Sequence, residues 1–181
     1  MKHAPMLSFL GESSLRAHLE YLREERQRHS IEEKSIPQIK GCTPREIASM
    51  NIKRSIKEQI LKRLVNIRLH ECYFSSFTLN HAPCPMLKKY YSSENSFLYE
   101  AEQLALSADG GFLYIALDDR RVPQPRLSES NRFACIKDTP LLAVDLCEHA
   151  YFSDYSFDKK RYLRAALSHL DLSKLALDTK K

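Results

Sequence analysis

The chain has 181 residues, of which 43% are hydrophobic and 28% charged, a composition that suits an ordinary soluble globular protein of one domain or two small ones. No apolar run approaches the ~20 residues that a membrane-crossing helix requires, so no membrane partner is expected. The net charge of +5 permits nucleic-acid binding without demanding it.

The amino-terminal stretch carries a short apolar patch, Met6 to Leu10, too brief for the core of a secretion signal, and we expect a cytoplasmic protein. Ser13 and Ser14 can cap a first helix running to about Arg28, with Leu15, Leu19 and Leu22 as its apolar positions and Tyr21 beside them. Gly41 and Cys42 break the chain. Thr43-Pro44-Arg45-Glu46 then combines a capping threonine, a first-turn proline and a glutamate three residues on, a strong helix start. The pattern Ile47, Met50, Ile56, Ile60, Leu64, Ile67 and His70 extends it into one long amphipathic helix, ended by the two prolines of Asn80 to Pro85.

Ser92 and Ser93 open a third helix through about Ala108. Asp109-Gly110-Gly111 reads as a turn and Phe112 to Leu117 as a strand. Val122 to Asn131 is loop-like, Phe133 to Ile136 and Leu141 to Leu146 are further strands, and a last helix spans roughly Asp158 to Leu170. The expected fold is α+β: an amino-terminal helical hairpin (residues 1–85), then a small three-stranded antiparallel sheet packed with helices in a carboxy-terminal α/β domain (residues 86–181).

Asp145 and His149 close the last strand. They are four residues apart, so one helical turn places both on one face, where they can close on a single metal ion. A carboxylate and an imidazole leaving a dry strand are costly to bury without a partner, which makes a metal the leading explanation. The five cysteines (Cys42, Cys72, Cys84, Cys135 and Cys147) are odd in number and form no C-x-x-C, which points to reduced thiols rather than a disulfide framework or zinc ribbon. His3, His29, His81 and His169 read as incidental.

The segment DLCEHAYF (Asp145 to Phe152), preceded by PLLAV and followed by KRYLRAAL, resembles the carboxy-terminal signature of the iron/manganese superoxide dismutases. AEQLALSADGGFLYIAL (from Ala101), HECYFSSF (from His70) and SLRAHLEYL (around His18) are similar to further stretches of that family. The resemblance implies His18, His70, Asp145 and His149 as ligands of one iron or manganese ion, a nitrogen and oxygen set suited to either metal. It implies superoxide as substrate and a homodimer, with Glu148 reaching across the interface to the partner's metal-bound histidine. Gln124 lies upstream of Asp145 at a distance comparable to the family glutamine that bonds the metal's water. Tyr21 can stand in for the gateway tyrosine, whose position falls near Arg26, while Leu22 replaces a helper histidine. Arg26 or Lys160 can steer the anion.

Cys147 occupies the signature's tryptophan position, Phe152 a position where many members carry tyrosine, and the chain has no tryptophan. A second reading keeps the fold as a non-catalytic scaffold, its Lys53-Arg54 and Lys62-Arg63 pairs contacting RNA phosphates. Four retained ligands favour the enzyme.

Overall fold

A computed structural model describes residues 7–128 and 139–177. The chain runs α1 (Glu12–Ser35), a 3-10 turn (Pro37–Ile39), α2 (Pro44–Ser49), α3 (Arg54–Ser75), α4 (Pro85–Tyr90), α5 (Glu94–Leu106), β1 (Phe112–Leu117), β2 (Pro123–Ser128), β3 (Leu142–Asp145), α6 (Glu148–Tyr155), α7 (Lys159–Ser168) and α8 (Ser173–Leu177). Helices come first and then a three-stranded antiparallel sheet in the order β2-β1-β3, which is the expected α+β arrangement.

α1 and α3 form an antiparallel pair, since Tyr21 meets Asn66 and Glu25 meets Arg63 across them. α1 is capped differently from the expectation. Its N-cap is Gly11, with no side-chain cap of its own, and the Gly11 N–H donates to Asp154 of α6 at 2.8 Å. Its buried stripe also differs. Ser14, His18, Leu22 and Glu25 face inward, whereas Leu19 is 39% exposed. The polar members of that stripe make α1 the wall of a site and not simply a core helix.

The capping box at Thr43 is present: its hydroxyl accepts from the Glu46 N–H while Glu46 accepts from the Thr43 N–H. The helix it opens stops at Ser49, however, because Met50 turns extended (ψ 149°), and α3 starts afresh at Arg54. A small satellite core of Ile39, Ile47, Ile60 and Leu61 ties this corner down. Ser93 caps α5 as expected, and Asp158 caps α7.

β1 occupies the expected residues and is buried almost throughout. Its neighbour on one side comes from the segment read as a loop. Pro123 to Ser128 pairs with it in register, Pro125 opposite Ile115 and Pro123 opposite Leu117. Proline disguises this strand in the sequence, yet an edge strand tolerates it, because the missing N–H can face away from the ladder. The strand expected at Phe133 to Ile136 lies outside the described residues.

The main core gathers Leu69 and Tyr73 of α3, Phe97 of α5, β1 and β3, and Tyr162 and Leu163 of α7. β3 is fixed against α3 by a specific bond. The Ala143 N–H, on the side of β3 away from β1, donates to the Ser76 hydroxyl at 2.8 Å. That contact sets Asp145, two residues on, at the level of His70. No described helix is long and apolar enough to cross a membrane.

Candidate metal centre

Four side chains from four elements meet at one point. His18 comes from α1, His70 from α3, Asp145 from the end of β3 and His149 from the first turn of α6. Their ligand atoms all lie within 4.8 Å of one another. Around Asp145 Oδ2 stand His149 Nε2 at 3.0 Å, His18 Nε2 at 3.1 Å and His70 Nε2 at 3.3 Å. His18, His70 and Asp145 are fully buried, while the His149 side chain is 36% exposed and closes the outer side.

Each donor is aimed by its backbone. Phe112 of β1 pairs with Asp145, and the Leu146 N–H bonds to the Gly111 carbonyl, so the strand holds until the carboxylate has emerged. Asp145 Oδ1 then accepts the Cys147 N–H at 2.8 Å, and its backbone carbonyl accepts the buried Tyr162 hydroxyl at 2.8 Å. That leaves Oδ2 to face the histidines. His70 Nδ1 lies 2.8 Å from the Asn66 carbonyl, which only accepts, so in the neutral ring the proton sits on Nδ1 and Nε2 presents a bare lone pair.

A bare nitrogen lone pair facing a carboxylate oxygen, both buried, is repulsive unless a cation lies between them. His18 Nε2, His70 Nε2 and Asp145 Oδ2 indeed have no well-directed hydrogen-bond partner despite their proximity. One carboxylate oxygen cannot accept in-line protons from three imidazoles at once, whereas four donors converging on one point is coordination geometry. The residues therefore fit a metal ion. Burial pushes the His18 pKa below its ordinary value and favours the neutral imidazole that a ligand must be, whereas at His149 burial is overcome by the Asp145 carboxylate, which raises the pKa. Burial alone would push the Asp145 carboxyl up, but the His149 imidazole, 3.0 Å away, outweighs it and holds the carboxylate well below its usual range, hence ionised.

Residues 84–177 match the sequence signature of the iron/manganese superoxide dismutases, C-terminal domain. The chain belongs to the iron/manganese superoxide dismutase family. A curated relative, the chloroplastic protein "Superoxide dismutase (Fe) 3" of Arabidopsis thaliana, is 29% identical over 87 residues. That match covers 46% of this chain and 33% of the relative, so the likeness spans about a third of the plant protein's length.

Around the four donors of this superoxide dismutase family member stand Cys147, Tyr21 and Asn66. Cys147, in the signature's tryptophan position, accepts the Gly111 N–H at 3.2 Å. Burial, with the Asp145 charge behind it, pushes its thiol up to about 12. Tyr21 lies against the cluster, its ring 4.7 Å from that of His149 and 5.2 Å from that of His70. Glu148 is exposed at the start of α6. Gln124 is not brought to the cluster. It pairs with Ala116, four residues along β1 from Phe112, or about 13 Å at the ~3.3 Å rise of a strand.

Asn66, which sequence reasoning passed over, stands where a polar group can act on the site. It is buried, four residues before His70 on the same face of α3, and its amide donates to the Tyr21 hydroxyl at 3.1 Å. The i, i+4 relation to His70 was the available signal. Tyr21, Asn66, Cys147 and His149 line a cavity of about 380 Å³ together with Glu25, Arg28, Lys62 and Arg63. Arg26 is instead paired with Glu71 at 2.6 Å, and Lys160 is exposed on α7.

Proposed function

We propose that the chain is a superoxide dismutase, disproportionating superoxide to dioxygen and hydrogen peroxide at one iron or manganese ion held by His18, His70, Asp145 and His149, and that it works as a homodimer. The observation that carries this reading is the bare His70 Nε2 facing ionised, buried Asp145 Oδ2 at 3.3 Å. When bound, the metal supplies a one-electron couple that accepts an electron from one superoxide and returns it to the next.

The remaining chemistry belongs to this chain's own residues. The cavity over His149 admits a small anion; Arg28, Lys62 and Arg63 in its lining outnumber Glu25, which pairs with both arginines, and this net positive lining takes the steering role first given to Arg26 and Lys160. Peroxide formation consumes two protons. Burial raises the Tyr21 pKa, so the phenol stays protonated, and its hydroxyl accepts from Asn66, which leaves its own proton to be donated. Tyr21 with Asn66 thus takes the place proposed for Gln124.

For the dimer, α6 offers exposed Glu148 and, on the next turn, Phe152, which is 43% exposed and packs edge-on against Phe157 at 5.2 Å. An apolar pair beside a carboxylate near His149 is what a second copy would cover. The scaffold reading loses its RNA contacts in part, since Arg63 bonds Glu25 and Glu32 and lines the cavity with Lys62.

Elemental analysis joined to a superoxide-consumption assay on one sample tests the proposal. The expected result is about one iron or manganese per chain, superoxide consumption, and loss of both in His70→Ala and Asp145→Ala variants. Protein that folds but takes up neither metal, or that is loaded and leaves superoxide untouched, overturns it.

A further inference from the structure

A second pair of chemically active side chains lies away from these four donors. Ser8 Oγ is 3.0 Å from His169 Nε2. His169 Nδ1 lies 2.8 Å from the Ala165 carbonyl, an acceptor with no proton to offer. Ser168 Oγ also lies 3.2 Å from Nδ1 but donates its own proton to the Ala165 carbonyl at 2.9 Å, so in the neutral ring the Nδ1 proton goes to that carbonyl and Nε2 is the lone pair that receives the Ser8 proton. A hydroxyl on an imidazole base, with the base oriented by a third group, is the general arrangement of an activated nucleophile.

Both members are held in place. Ser8 sits on a tight turn closed by the Leu10 N–H to the Leu7 carbonyl at 2.9 Å. Leu7, Phe9 and Leu10 are buried on either side of it, and the Tyr155 hydroxyl donates to the Phe9 carbonyl. Ser8 itself is exposed. His169 ends α7, and its carbonyl accepts the Thr78 N–H at 2.9 Å beside the Phe77–Leu170 bridge. Beside the pair is a cavity of about 250 Å³, lined by Leu7, Phe9, Phe77 and Leu79 as well as by the two residues. Its walls are mostly apolar and its size suits a short acyl chain.

We propose that Ser8 is a nucleophile made reactive by His169, accepting the acyl group of an activated ester of a small apolar acid. Ser8 Oγ bonds to the acyl carbon as the bond from that carbon to the leaving oxygen breaks, and the bonding pair departs with the oxygen. The serine proton passes to His169 Nε2 and from there to the leaving alkoxide or to solvent. The step needs no oxidant, reductant or metal, so it stands or falls independently of the superoxide reaction.

The test uses the full chain, metal-loaded and metal-free, with p-nitrophenyl acetate as probe and peptide mass mapping as readout. In the unaltered protein, Ser8 should acetylate at least about tenfold faster than Ser35 and Ser49, since a placed general base contributes typically 10²–10⁴-fold. The hydroxyls of those two serines donate to carbonyls of their own helices. Ser8→Ala should abolish the fast phase of nitrophenolate release, and His169→Gln should slow Ser8 labelling by a similar tenfold or more. Acetylation confined to lysines, Ser8 labelling no faster than at Ser35 and Ser49, or an unchanged rate in folded His169→Gln would overturn the proposal. The first two comparisons require no variant and so remain decisive if His169→Gln fails to fold.

Discussion

The amide of Asn66 joins the α3 ligand to the α1 phenol. Its carbonyl end of the residue, the backbone oxygen, fixes the His70 ring, while its side chain fixes the Tyr21 hydroxyl. Removing the side chain keeps the first contact and deletes the second. We predict that Asn66→Ala retains its metal but loses superoxide turnover on the order of 10- to 100-fold, the usual cost of losing a group that orients a metal site's neighbours. Metal content measured beside turnover checks this. Full activity would show that Tyr21 needs no orienting partner. The donors differ in how readily the sequence yields them. Asp145 and His149 are four residues apart, and local spacing alone brings them together. His18 and His70 are 52 residues apart in the sequence (70 − 18), so no periodicity could pair them, and only the family resemblance did. Asn66 has a local signal in its i, i+4 relation to His70, but its bond to Tyr21 and that of Glu25 to Arg63 join opposite helices, a relation that only packing creates.

At the scale of elements, the legible pieces were those with local chemistry. The capping box at Thr43, the Ser93 and Asp158 caps, and the aromatic, branched strand at Phe112 to Leu117 each carry their own signal within a few residues. β2 was hidden because its prolines are acceptable only at a sheet edge, and edge position is a tertiary fact. The break between α2 and α3 carries only a weak local signal, the gap of six from Met50 to Ile56 (56 − 50), which departs from the i, i+3 and i+4 spacing of one helix face. The start of α1 carries no local signal, because its cap comes from another element. Asp154, from α6, accepts the Gly11 N–H at 2.8 Å and so ties the helix carrying His18 to the one carrying His149. A carboxylate at a helix N-terminus is also favoured by the helix dipole. Asp154→Ala should therefore cost about 1 kcal/mol, which in a chain of this size lowers Tm by roughly 2–4 °C. Thermal unfolding followed by circular dichroism measures it. An unchanged Tm would mean that solvent serves Gly11 equally well.

For the whole molecule, the ion that this site fits would act as a fastener between parts of the chain that are distant in sequence. α1 and α3 contribute two donors, and the β3–α6 junction contributes the other two. Without a cation, the fold must keep two buried lone pairs, on His70 Nε2 and Asp145 Oδ2, within 3.3 Å of each other. The unfolded chain has no such convergence, so binding energy becomes folding stability. At a free metal concentration a hundredfold above Kd the gain is about 2.7 kcal/mol, on the order of 5–10 °C in Tm for a chain of this length. Calorimetry of iron- or manganese-loaded protein before and after chelation should show that difference. In His70→Ala the loaded and chelated scans should coincide, because the remaining three donors no longer surround the ion and the repulsive pair has been removed from the metal-free state. A metal-dependent Tm shift that persisted unchanged in His70→Ala would place the stabilising ion somewhere other than between α1, α3 and the end of β3.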